Sequence, residues 1–176
     1  MSILKIARLG HPILYKKASL VDNITEPGIK KLIHDMSETM IDYKGIGLAA
    51  PQVHISKQII IFRMIEDQEK ESNEIKITAL INPRIIKTSE ETDNQWEGCL
   101  SIPGMLGLVK RHSSISYEGF DMKGNKIQQK AEGLHARVVQ HECDHLNGIV
   151  FTHRLVDKKA YGYEDEIEEY WKKKHE

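Results

Sequence analysis

The stretch Gln140-His141-Glu142-Cys143-Asp144-His145 carries more information than any other part of this chain. An H-E-x-x-H pentapeptide on a helix places two imidazoles one turn apart on one face, with a carboxylate beside them. That arrangement suits two ligands of a transition metal and a general base for water activated by it. Leu134, Val138, His141 and His145 recur at helical spacing and fall along one stripe. The pattern predicts a helix over residues 134–146, stopped by Asn147-Gly148, with its stripe turned inward. Cys143 lies roughly 200° round this helix from His141 and cannot share one ion with both histidines, so it reads as a small buried residue. Asp144, roughly 300° round, lies near the histidine face, either orienting a neighbour or exposed.

Two histidines leave such a site short of a ligand, because a catalytic zinc-type centre usually has three protein ligands and an open position. A metzincin-like pattern has its glycine at Gly148, but Phe151 occupies the place of the last histidine and His153 falls two residues late. A thermolysin-like pattern takes a carboxylate about twenty residues downstream, where Asp165 stands between Glu164 and Glu166. The third source is upstream: Cys99, in Glu97-Gly98-Cys99-Leu100-Ser101. A thiolate is a soft, strong ligand, and Cys-His₂ with an open position fits a catalytic centre. Gly98 before it lets the backbone approach closely. A lone cysteine is otherwise a small buried hydrophobe, and spacing alone does not choose between the last two sources.

Working outward, Thr25-Glu26-Pro27 reads as a helix start, with a capping hydroxyl, an acid and a proline that needs no donor. Ile29, Leu32, Ile33, Met36, Met40 and Ile41 follow at helical spacing, and the helix should end before Gly45. Gly45-Ile46-Gly47-Leu48-Ala49-Ala50-Pro51-Gln52 reads as a loop. Buried strands are expected at 58–62 and 77–81, the second ended by Asn82-Pro83, with further strands at 85–86, 113–117 and 127–128. Lys123-Gly124-Asn125 has the residues of a hairpin turn, and the charged segment 66–74 reads as the mobile loop. From Lys158 onward, acids precede Lys172-Lys173-Lys174, an order that complements a helix dipole; Ile167, Tyr170 and Trp171 could pack one face of a surface helix.

The bulk numbers exclude more than they assign. A chain of 176 residues with 40% hydrophobic and 29% charged residues and a formal net charge of -1 suits one domain with one core. Balanced charge gives no reason to expect nucleic-acid or membrane partners, and no apolar run approaches the roughly 18 residues that span a bilayer. The start, Met1-Ser2-Ile3-Leu4-Lys5-Ile6, lacks a signal-peptide block, so a cytoplasmic protein is expected. Cys99 and Cys143 are too few for a disulfide framework. His34, His54, His112, His135 and His153 have no ligand spacing.

Taken together, the Gly45–Gln52 stretch, Glu97-Gly98-Cys99-Leu100-Ser101 and Gln140-His141-Glu142-Cys143-Asp144-His145 resemble the three signature motifs of the peptide deformylases, in that family's order and separations, within a likeness running from about Leu9 to Leu155. The resemblance implies removal of the formyl group from the N-terminal formyl-methionine of new proteins, releasing formate. It implies Cys99, His141 and His145 as ligands of one divalent metal, Fe2+ in the cell, with Zn2+, Ni2+ or Co2+ able to replace it. It implies Glu142 as acid and base, and Gln52 with the backbone N–H of Leu100 as donors to the formyl oxygen. The implied partners are N-formylmethionyl nascent peptides and, through the tail of some relatives, the ribosome near its exit tunnel. His11 stands where many relatives carry aspartate, and Arg137 where some carry an aliphatic residue lining the methionine pocket.

The expected class is therefore α+β: mostly antiparallel sheets around a central helix that carries the H-E-x-x-H motif, plus a C-terminal helix, in a single catalytic domain over 1–176 with its tail at 158–176. Gly45 and Gly47 should let the loop backbone meet an extended substrate, Gly98 should join Gly47 in binding it, and Ile46 and Leu134 should line the methionine pocket. Glu97 reads either as a surface acid or as a carboxylate orienting the centre. Two rivals stand beside this reading: an internal-bond protease, and a non-enzymatic domain whose metal is closed off by four protein ligands.

Overall fold

Ile59–Arg63 explains the architecture, because this strand (β2) is apolar without alternation. In a strand successive side chains point to opposite faces, so a continuous apolar run needs cover on both. Ile60 and Phe62 pack with Val138, Val139, Cys143 and Leu146 of the helix Gly133–Leu146 (α2). Ile59 and Ile61 pack with Ile33, Met36 and Met40 of the helix Pro27–Asp42 (α1). The computed structural model, which describes residues 2–63 and 76–172, thus places a sheet between two helices. The expected loop at 66–74 lies outside the described residues.

That sheet has five strands in the order β1-β2-β3-β6-β7, where β1 is Gly47–Ala49, β3 Ile77–Thr88, β6 Ser114–Phe120 and β7 Lys126–Glu132. Every pairing is antiparallel. A second antiparallel sheet, β4-β5-β8, is built from Thr92–Cys99 (β4), Ile102–His112 (β5) and Tyr161–Tyr163 (β8). The expected α+β class holds, and so do α1, α2, β2 and the β6–β7 turn, where Asp121 accepts backbone hydrogen bonds from Lys123 and Asn125.

Several expectations are corrected. Thr25 does not cap α1: its hydroxyl donates to Asn23, and Glu26 holds the cap position without a side-chain bond. Residues 45–52 are not a plain loop, since β1 pairs with β2 and Ala50–Val53 makes a turn of 3-10 helix that Pro51 can enter without a donor. Asn82-Pro83 does not end β3. Asn82 takes a left-handed φ of 51°, its side chain bonds both backbone groups of Val21, and a bulge between Ile81 and Arg84 carries the strand onward. β4 and β5 were not foreseen. The tail begins as β8 on the edge of β5 and turns helical only at Glu164–Ile167 (α3), continuing as a wider turn over Glu168–Lys172. There Ile167 is buried and Trp171 meets Trp96 edge-on, whereas Tyr170 is exposed.

Candidate active site

α2 presents His141 and His145 one turn apart, their rings 5.0 Å between centroids. Val138 and His145 are buried, but Leu134 at the start of the same stripe is 44% exposed, so the stripe is not inward along its whole length. It opens at Leu134 onto a cleft of about 1050 Å³. Helix α2 ends where Gly148 adopts a φ of +72° against the backbone of Tyr15, a place with no room for a Cβ.

Cys99 arrives from the other sheet. Cys99 pairs with Ile102 across the β4–β5 turn formed by Leu100 and Ser101, and a bulge between Glu97 and Cys99 resets the strand. Its Sγ stands 3.3 Å from Nε2 of His145. The ligand atoms of Cys99, His141 and His145 all lie within 4.8 Å of one another. Donors bound at about 2.0–2.3 Å to one tetrahedral ion stand roughly 3.3–3.8 Å apart, so the trio fits a single metal. Among the described residues no fourth ligand joins the group, which speaks against the closed four-ligand rival. Asp165 does not join it either.

Glu97 is no surface acid. Its carboxylate meets Nδ1 of His141 at 2.9 Å and accepts from Arg111 at 2.7 and 2.9 Å and from Arg137 at 2.6 Å. Burial alone would raise this carboxyl, but the bonds from His141 and Arg111 hold it far below its ordinary range. The bond to Nδ1 fixes the ring so that Nε2 faces Cys99. For His141 burial opposes a charge, and the Cys99 and Glu97 partners outweigh it, keeping the ring well above its usual pKa. His145 is pushed well below its own by burial and by the neighbouring His141.

Arg111 also donates to Asp144 at 2.7 Å, and Arg154 donates to the same carboxylate at 2.7 Å. Asp144 is therefore buried and paired, not exposed. Nothing in the strand sequence around Arg111 signals that role; only the fold gathers the acids round it. Arg137 likewise spans Glu97, the carbonyl of Val109 and Asp93. Cys143 is buried as expected, its thiol pushed up to about 12 by burial.

Glu142 is buried, and its Oε2 has no hydrogen-bond partner among the described residues. Burial raises this carboxyl to about 7 against the pull of His141 and Arg111; a divalent cation nearby would draw it back down. Gly47 lies so close to the carboxylate that a Cβ there would collide with it. Gln52 is buried. Its Oε1 accepts from the Ala49 N–H at 2.8 Å, and its Nε2 faces Cys99 Sγ at 3.3 Å and Ser101 Oγ at 3.2 Å. Ser101, which the sequence did not single out, thus fixes the amide. Ile46, Gly47, Gly98, Leu100, Leu134 and Val138 all line the cleft with Cys99, His141 and Glu142.

Comparison with known proteins agrees with this geometry. Residues 3–161 match the family model for polypeptide deformylase. Peptide deformylase 1 of Nitrosomonas europaea is 42% identical over 163 residues, 92% of this chain and 93% of that protein. Peptide deformylase 1 of Bordetella pertussis is 44% identical over 159 residues, 90% of each. The crystal structure of peptide deformylase from Thermotoga maritima superposes with a TM-score of 0.81 at 36% identity, covering 89% of this chain and 100% of that one. A class I type b peptide deformylase from Acinetobacter baumannii, bound to Met-Ala-Ser, gives 0.80 at 34% identity over 88% and 99%. A helix-borne pair of histidines, a thiol brought from a hairpin turn and a buried free carboxylate thus occur in a chain that belongs to the polypeptide deformylase family, metal-dependent hydrolases that remove the N-formyl group from the N-terminal methionine of nascent proteins.

Proposed function

We propose that Cys99, His141 and His145 hold one divalent ion, ferrous iron in the cell, with zinc, nickel or cobalt as substitutes, and that the remaining residues work around it in a single catalytic domain in the cytoplasm. The observation that carries this is the convergence of the three donor atoms within 4.8 Å on a cleft that Glu142 also lines. When bound, such an ion supplies a Lewis acid that makes water acidic near neutral pH and polarises a carbonyl.

Glu142 takes a proton from the attacking water at its free Oε2 and returns it to the departing amine. Gln52 holds Nε2 beside the Cys99 thiol and Ser101 Oγ at the cleft, so it donates to the formyl oxygen by giving up its contact with Cys99, and the Leu100 N–H is the second donor. A single donor of this kind is typically worth about 2.7–4 kcal/mol of barrier. Ile46, Leu134 and Val138 offer an apolar wall for the methionine side chain, and Gly47 and Gly98 let an extended chain lie close. The Acinetobacter relative bound to Met-Ala-Ser, a sequence beginning with an unformylated methionine, supports a peptide in this cleft. Ribosome association belongs to the same proposal and is tested by co-sedimentation.

Formate release from formyl-Met-Ala-Ser tests the activity, with unformylated peptide as control. Cleavage of internal bonds without formate would establish the protease reading instead. Anaerobic purification with elemental analysis tests the metal.

A further inference from the structure

The cleft is not electrically even. The segment Lys5 to Arg8 forms one wall, and Ala7 within it and Leu9 just after it donate backbone hydrogen bonds to the carbonyls of Gln52 at 2.7 Å and Ser101 at 2.8 Å. This segment is thereby fastened to the two residues flanking the Cys99 thiol. Ile6 and Ala7 are buried beneath it, while Lys5 and Arg8 are exposed. His11 and His54 extend the same wall, their rings 4.7 Å apart, and Lys44 stands on the rim near Gly45. Among the described residues no carboxylate pairs with Lys5, Arg8 or Lys44. The other acids of the cleft do not balance them. Glu97 is held by Arg111 and Arg137, and Glu142 is buried. Glu164, on the wall formed by the C-terminal segment, is the one exposed acid among the cleft residues.

Resting on the deformylase reading, we infer that the Lys5–Arg8 wall selects nascent chains with acidic side chains in the residues that follow the formyl-methionine. Three permanent cations facing a peptide across a cleft attract a carboxylate and repel an ammonium, and the effect weakens as salt screens it over about 8 Å. The charged groups belong to the cleft wall rather than to the group around the formyl carbon. Their contribution is therefore uniform binding, which appears in KM and leaves kcat alone.

The test uses metal-loaded protein and three peptides: formyl-Met-Asp-Asp, formyl-Met-Ser-Ser and formyl-Met-Lys-Lys. The acidic peptide should exceed the basic one by about threefold to tenfold in kcat/KM at low salt, through KM, and the gap should close on adding salt. In K5E/R8E the order should invert, and in K5Q/R8Q the ratio should fall toward one. The anchors of the segment are backbone N–H groups, which these substitutions keep. A second readout is binding of the deformylated Met-Asp-Asp and Met-Lys-Lys, followed by tryptophan fluorescence, since Trp96 lines the cleft; the acidic peptide should bind more tightly. Equal rates for all three peptides, or an acidic preference that survives K5E/R8E, overturn this inference alone. No formate from any of the three overturns the deformylase reading and this inference with it.

Discussion

Glu142 is the side chain on which turnover should depend most steeply. Glutamine keeps its volume and can still occupy the space beside Gly47, but it cannot shuttle a proton. E142Q should lose about 10²–10⁴-fold in kcat, while metal content and Tm stay at wild-type values; a joint loss of metal would instead make Glu142 part of the binding group. Glu97 should fail differently. Replacing it by alanine leaves Arg111 and Arg137 buried with a shared partner gone and frees the His141 ring. Breaking a buried pair in this way typically costs about 3–5 kcal/mol, and losing the carboxylate behind a ligand histidine lowers metal affinity about 10–100-fold. Urea unfolding and a metal-chelator competition measure the two effects separately. The contrast also shows what was legible. His141, Glu142 and His145 could be read because one helix fixes their spacing, and Cys99 because a motif surrounds it. Glu97 remained ambiguous and Arg111 invisible, because their roles depend on β4, β5 and α2 meeting, which no local pattern encodes.

Strands and helices divide along the same line. β2 was legible because it is covered on both faces and is therefore apolar from Ile59 through Phe62. β4 was not: Thr92-Asp93-Asn94-Gln95 is polar, and its ladder to β5 is held by backbone pairing rather than by β-propensity. β5 is broken in sequence by Pro103, Gly104 and Gly107. A Cβ at Gly107 would press on the side chains of Leu155 at 2.5 Å and Phe151 at 2.8 Å. β3 read as two strands because an Asn-Pro pair usually stops one, and only the bonds from Asn82 to Val21 show why it does not. The end of α2 was legible from Asn147-Gly148, and it carries a prediction of its own. G148A meets both an unfavourable φ of +72° and the backbone of Tyr15, so it should destabilise by more than the roughly 1 kcal/mol of the φ strain alone. Because His145 lies in the last turn of α2, the variant should also weaken metal binding, whereas an alanine at the exposed Gly10 (φ +99°), with nothing near its Cβ, should cost only the strain.

Two of the contacts that join α2 to the sheets can be loosened from outside. Tyr117 of β6 is fully buried, donating to Gln129 and meeting His135 at 3.1 Å. Burial raises its hydroxyl from the ordinary 10.0 to about 12. The folded chain therefore holds this proton more tightly than the unfolded chain. Stability from this source is complete below pH 10, declines as pH rises, and is lost by about 12, a total of roughly 2–3 kcal/mol. Y117F should flatten that part of the profile, and an unchanged alkaline slope would remove Tyr117 from the explanation. The second join is the proposed metal. Cys99 comes from the β4–β5 turn and both histidines from α2, so one ion would tie the three-stranded sheet to the helix beneath the five-stranded one. An ion that binds only the folded chain stabilises it by about 2.7 kcal/mol at one hundred times its Kd. Stripping it with a chelator should lower Tm, and re-addition should restore it. Hydrogen exchange locates the effect: the amides of Cys99–Ile102 and the last turn of α2 should lose protection first, while Ile59–Arg63, packed on both faces, should keep theirs. A uniform loss across both sheets would mean that the ion holds the whole core together, and no loss at the β4–β5 turn would mean that Cys99 is not a ligand.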